Sequence, residues 1–239
     1  MMSYTGNAMT FCRYLQLELQ QCNIHLGIAI LTYKLLPNNP FPAELGEVQA
    51  SISTLLRLGA KAQNITLASA SAGGNLVLQL LAHVLHPLPS VSPIPEVRFR
   101  GVFLMSPWIF LQEDFNLPHH LLDAKHQCDT SRIPLNDIPP AHIPFVDHLE
   151  APDDQFGGLS TLAERVSVMW DELECLRESQ RRLCKEYIGP YYPWVEVYEQ
   201  VSGIHCQPIW DSASMGKVGE PRIVEWFAHV YATDKEERN

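Results

Sequence analysis

Residues 64–85, NITLASASAGGNLVLQLLAHVL, decide how the rest of the chain is read. Ile65, Thr66 and Leu67 open a short β-forming run. Small residues follow from Ala68 to Gly74, and after them apolar side chains recur at helical spacing. The stretch therefore predicts a strand, a tight turn and a helix, with Ser71 on the turn. In that position a hydroxyl stands above the sheet end, and the next backbone N–H opens a helix, where negative charge is stabilised. Ser69, Ala70, Ala72, Gly73 and Gly74 meet the demand of a crowded turn for small side chains. An ordinary βα turn capped by a serine needs the same residues, so this stretch alone leaves both readings open.

Working outward, residues 8–22 place Met9, Cys12, Leu15 and Leu19 on a helical stripe. Residues 24–31 are nearly continuous in apolar side chains and predict a buried parallel strand, stopped by the turn at 37–40. A helix follows from about Pro42, read as its first residue, to Gly59. Beyond residue 85, RFRGVFLMSPW, ERVSVMW and WVEVYEQV predict three further strands. ELECLRESQRRLCKEYI and PRIVEWFAHVYA predict helices. Strand and helix alternate, which implies an α/β fold whose mostly parallel sheet is covered by helices on both faces. Residues 109–163 break the rhythm: rich in Pro, His and Asp, they are too long for a connector and read as a cap inserted into a single domain spanning 1–239.

The bulk numbers narrow the function classes. A net charge of −10 argues against a nucleic-acid footprint. No apolar run is long enough to cross a bilayer, and MMSYTGNAMTFCRYLQ lacks the pattern of a secretory leader. Six cysteines without C-x-x-C spacing predict reduced thiols and a cytoplasmic protein. His119, His120, His126 and Cys128 match no metal-ligand spacing, so no metal is expected. With no G-x-x-x-x-G-K or G-x-G-x-x-G run, no cofactor is expected either.

SASAGGNL, residues 69–76, resembles the G-D-S-A-G-G-N-L nucleophile elbow of the hormone-sensitive-lipase branch of the α/β-hydrolases. Upstream, YKLLPNNPFPAEL is similar to that branch's Y-R-L-A-P-x-x-x-F/Y-P-A-A-L segment, and the two motifs come in the same order. The resemblance is dense from Tyr33 to Pro107, and fungal steryl-acetyl-hydrolase-like esterases are the nearest subset. It implies an α/β-hydrolase fold and a serine esterase for small hydrophobic esters, acetylated sterols among them. Two departures stand out. Ser69 and Ala70 replace the elbow's Gly and Asp, and a serine strains the turn if its φ must be positive there. The family's H-G-G-G loop, a source of oxyanion donors, has no counterpart, so the fold is expected to be shortened at its N-terminal side.

A serine nucleophile needs an imidazole to take its proton and a carboxylate to orient that imidazole, in the chain order Ser, acid, His for this fold. His205, in VSGIHCQP after the last expected strand, resembles the family's histidine loop. WDELECLRES resembles its D-P-L-R-D segment; matching Leu176 and Arg177 places Glu174 at the acid position, with Asp171 the rival nearer the strand end. The expected site is Ser71, Glu174 and His205, with Ala72 N–H as an oxyanion donor and Ser69, Gly73 and Gly74 shaping the elbow. The competing expectation is a ligand-binding protein of the same fold, because the missing loop weakens oxyanion stabilisation and gibberellin receptors of this branch keep the pocket without hydrolysis.

Overall fold

Four short strands form one parallel sheet whose spatial order follows the chain: β1 (Thr66–Ala70), β2 (Gly101–Met105), β3 (Val166–Asp171) and β4 (Glu196–Gln200). The register sets Ala70 beside Met105, Met105 beside Met169, and Asp171 beside Gln200, so β3 and β4 run on past the carboxyl ends of β1 and β2. β2 and β3 are buried along their whole length, as their unbroken apolar runs require. The computed structural model describes residues 4–34, 41–94, 97–110, 138–213 and 220–232.

Two compact units divide the chain: Leu31–His205, and Met1–Ile30 with Cys206–Asn239. The first unit holds the sheet, with α2 (Ala43–Arg57) against α3 (Ala72–Leu85), and α3 against β1. Its core joins Leu45, Val48 and Ile52 of α2 to Leu76 and Leu80 of α3 and to Val102, Leu104, Val166 and Val168 of the sheet. Within the second unit α1 (Tyr4–Gln21) packs on α7 (Gln207–Ala213) and α8 (Pro221–Ala232), burying Leu15, Leu19, Ile209, Ile223 and Phe227.

Of the segment 109–163, residues 111–137 lie outside the described residues, as do His119, His120, His126 and Cys128. Its described remainder carries two short helices, α4 (Ile143–Val146) and α5 (Leu159–Leu162), both packed on α3. Phe145, Leu149, Phe156 and Leu159 enter the core. Asn75 of α3 donates through Nδ2 to the Val146 carbonyl at 2.9 Å, and Gln79 donates to Asn75 Oδ1 at 2.7 Å, so the Asn75 amide buried between α3 and α4 is satisfied.

Several expectations change. Residues 24–34 form no strand, and Ile28, Ile30 and Leu31 are exposed. Apolar runs specify burial only where a neighbouring strand completes the ladder, and among the described residues β1 pairs with β2 alone. Pro42 stands one residue before α2, as its N-cap, and Gly59 ends that helix with φ +97°. The helix expected from residue 172 starts at Arg177, as α6 (Arg177–Arg182), and runs on as a wider π-type turn over Leu183–Ile188. Cys175 is disulfide-bonded, against the expectation of reduced thiols throughout, whereas Cys12, Cys22, Cys184 and Cys206 are free. No helix among the described residues is long and apolar enough to cross a membrane.

Candidate active site

Ser71 separates β1 from α3 and has φ +53° and ψ −123°, a conformation that L-residues rarely adopt. Strain at one residue turns the chain sharply enough to leave the side chain outside both elements. The turn is held from behind: Ser71 N–H donates to the Met105 carbonyl at 3.0 Å, and Trp108 N–H donates to the Ser71 carbonyl at 3.0 Å. Its Oγ makes no capping bond to α3, so the hydroxyl faces away from the helix it precedes.

Small side chains at the elbow have separate reasons. A Cβ on Gly74 would lie 2.6 Å from Pro107 Cβ and 2.8 Å from its Cα, whereas one on Gly73 would meet Ser69 Cβ at an ordinary 3.6 Å. Ser69 belongs to β1 and its φ is not positive, so the strain anticipated for a serine there does not arise; the positive φ belongs to Ser71. Ala72 is the first residue of α3, where a backbone N–H has no partner inside the helix.

The loop that follows β4 brings His205 onto this serine. His205 Nε2 lies 2.8 Å from Ser71 Oγ, and its Nδ1 lies 2.6 Å from Glu174 Oε2. With the proton on Nδ1, the imidazole donates to Glu174 and accepts from the Ser71 hydroxyl. The Glu174 side chain is fully buried and that of His205 is 20% exposed. The second Glu174 oxygen, Oε1, accepts the Asp171 backbone N–H at 3.0 Å, so both carboxylate oxygens are held.

Ser71, His205 and Glu174 thus form one continuous hydrogen-bonded chain, with Ala72 N–H next to the serine. Asp171 lies one step back: its Oδ2 accepts the Ser106 hydroxyl at 3.1 Å. Among the described residues no cluster of three or more His, Cys, Asp or Glu is arranged for a metal. The arrangement has the parts that activate a hydroxyl: a base on its proton, a buried carboxylate behind the base, and a helix N-terminus beside the oxygen.

Sequence reading missed the supports around this chain. Glu199 of β4 accepts the Trp170 indole N–H at 2.7 Å, Arg177 through Nε at 3.2 Å and Nη2 at 3.0 Å, and Arg181 at 2.6 Å. Burial acts to raise its pKa, but these donors outweigh it and hold the carboxyl below the usual range. Gln180 Nε2 donates to the Pro107 carbonyl at 3.0 Å and fastens α6 to the turn after β2. Contacts spread over three elements leave no local pattern to find.

A family model described as the alpha/beta hydrolase fold matches residues 20–206. Among solved structures, the chain is similar to an esterase/lipase from an uncultured bacterium, at 19% identity and a TM-score of 0.66 over 93% of this chain and 69% of that one. It is also similar to an esterase of the bacterial hormone-sensitive lipase family, at 20% identity and a TM-score of 0.59 over 84% and 62%. A hormone-sensitive lipase from a metagenome library gives 20% identity and a TM-score of 0.62 over 84% and 66%. The chain spans about two thirds of the length of these proteins, and at such identities the likeness concerns the fold. No curated protein matches the chain.

Proposed function

Because the chain belongs to the α/β-hydrolase fold family, matched over residues 20–206, we propose that it is a serine carboxylester hydrolase acting on small hydrophobic esters. The observation that carries this reading is the unbroken chain of short contacts from Ser71 through His205 to Glu174. Ser71 Oγ attacks the ester carbonyl as His205 Nε2 takes its proton, and Glu174 stabilises the resulting imidazolium. The tetrahedral oxyanion takes the Ala72 N–H at the start of α3. Its collapse expels the alcohol, which leaves with the proton from His205, and water repeats the sequence on the acyl-enzyme. Acetylated sterols are the substrates that the sequence resemblance suggests.

A second reading, ligand binding without turnover, rests on the elbow, where Ser69 and Ala70 stand in place of the Gly and Asp of the resembled motif. Labelling of the purified protein with a fluorophosphonate separates the two. An activated Ser71 gives labelling that disappears in Ser71→Ala and His205→Ala, together with hydrolysis of p-nitrophenyl acetate that falls roughly 10³–10⁴-fold in Glu174→Gln. A folded protein that neither labels nor hydrolyses the ester overturns the esterase reading.

A further inference from the structure

Asp171 ends β3 fully buried, and the mechanism above leaves it without a task. The Ser106 hydroxyl donates to its Oδ2, and its backbone N–H donates to Glu174 Oε1. On the opposite side stands Gly203, two residues before His205. A Cβ built on Gly203 would overlap Asp171 Oδ1, with Asp171 Cγ 3.1 Å and Cβ 3.2 Å away. Gly203 has no positive φ, so backbone conformation does not require glycine there; room for the Asp171 carboxyl does.

The same two loops are joined by three more bonds. Glu172 N–H donates to the Gln200 carbonyl at 2.9 Å, and Leu173 N–H to the Gly203 carbonyl at 2.9 Å. Ser202 N–H donates to Glu172 Oε2 at 2.8 Å. These contacts, two between backbone groups and one to the Glu172 carboxylate, fix the lateral position of the loop that carries His205. Its distance from the sheet end is limited by whatever fills the space under Gly203, and Asp171 fills it.

We propose that Asp171 is a positioning residue for His205: its carboxyl is the seat on which the His205 loop rests through Gly203, and its N–H orients the carboxylate that His205 contacts. The inference rests on the reading of Ser71, His205 and Glu174 as the hydrolytic residues, and Asp171 acts only through them. Displacing a reacting group by about 1 Å costs roughly 10²-fold in rate, so a missing seat is felt in kcat.

The test uses the full chain with Asp171→Ala, Asp171→Asn, Gly203→Ala and the double variant Asp171→Ala/Gly203→Ala, each checked by thermal melting. Asp171→Ala is expected to lower kcat for p-nitrophenyl acetate roughly 10–100-fold with KM nearly unchanged. Asp171→Asn, equal in shape and able to accept the Ser106 hydroxyl, is expected to recover most of that loss. Gly203→Ala is expected to be as impaired as Asp171→Ala, while the double variant exceeds Gly203→Ala in kcat because removing Cγ and Oδ1 makes room for the new methyl.

A second readout does not depend on turnover. The downfield proton resonance of His205 Nδ1–H, assigned by its loss in His205→Ala, should persist in Asp171→Asn and broaden or shift in Asp171→Ala. If wild-type protein hydrolyses nothing, the esterase reading fails and this resonance alone decides the role of Asp171. Unchanged kcat or an unchanged resonance in folded Asp171→Ala overturns the proposal. So do losses that multiply in the double variant, or an Asn variant no better than Ala. Should Gly203→Ala fail to fold, the comparison of Ala with Asn at position 171 still decides the matter.

Discussion

Ser71 concentrates the backbone strain of the elbow, and its neighbours differ sharply in what they tolerate. Ser69 lies in β1 with strand geometry, 3.5 Å through its hydroxyl from the Phe103 carbonyl. Restoring the resembled family's glycine there relieves no strain. Ser69→Gly is expected to leave ester hydrolysis unchanged and to lower stability by about 0.5–1 kcal/mol, the entropic cost of glycine in a strand, read from urea unfolding. Gly74 is the opposite case. A methyl there meets the backbone and ring of Pro107, neither of which yields easily, so Gly74→Ala is expected to cost about 1–3 kcal/mol and to reduce kcat as α3 moves from Pro107. Gly73→Ala, with 3.6 Å to Ser69 Cβ, serves as the control and keeps both properties. The need for small residues was legible in the sequence; which of them is indispensable was not, because Pro107 lies over thirty positions away.

At the level of elements, the positions of β3, β4 and α6 depend on one carboxylate. Glu199 receives Trp170 from β3 and both Arg177 and Arg181 from α6, while Glu174 lies on the short link between β3 and α6. Glu199→Gln keeps the shape but loses the charge, and is expected to cost about 1–2 kcal/mol. Since its folded pKa is depressed, the stability it contributes is present above the ordinary glutamate pKa and disappears as pH falls through the lower folded value. The difference in urea midpoint between wild type and Glu199→Gln should therefore shrink on acidification. The helix itself was visible in the periodicity of 172–188, but its start was misjudged. Residues 172–176 have apolar spacing compatible with a helix, yet Leu173 N–H pairs with Gly203 instead of opening one.

For the molecule as a whole, His148 links burial to pH. It is fully buried, its ring 5.9 Å from that of Phe156, and its backbone N–H bonds the Ile109 carbonyl. Loss of solvent pushes the imidazole down to about 3, with the Asn75 backbone acting in the opposite sense. The unfolded chain binds this proton near the ordinary histidine value, the folded chain only near 3. Folding is thus fully favoured above the ordinary value and weakens as pH falls from there toward 3. That difference sets an upper bound of about 5 kcal/mol on the effect. Urea midpoints measured between pH 7 and pH 4 are expected to fall, and His148→Leu should flatten the slope. Any slope remaining in the variant reports carboxylates such as Glu199.

The sequence by itself determined what is local or periodic: the strand, turn and helix around Ser71, the alternation that makes a parallel sheet, and helices such as Pro221–Ala232. Motif resemblance added the order of Ser71, Glu174 and His205. Tertiary structure supplied the distances that separate the two candidate carboxyls, since Glu174 and Asp171 differ by three positions in the chain but by a whole layer in the site. It also decided that residues 24–34 join no strand despite their apolar run. The physical reason is common to both. Propensity and spacing act between neighbours in the chain, whereas a buried carboxyl's partner and a strand's ladder are contributed by residues far away in sequence.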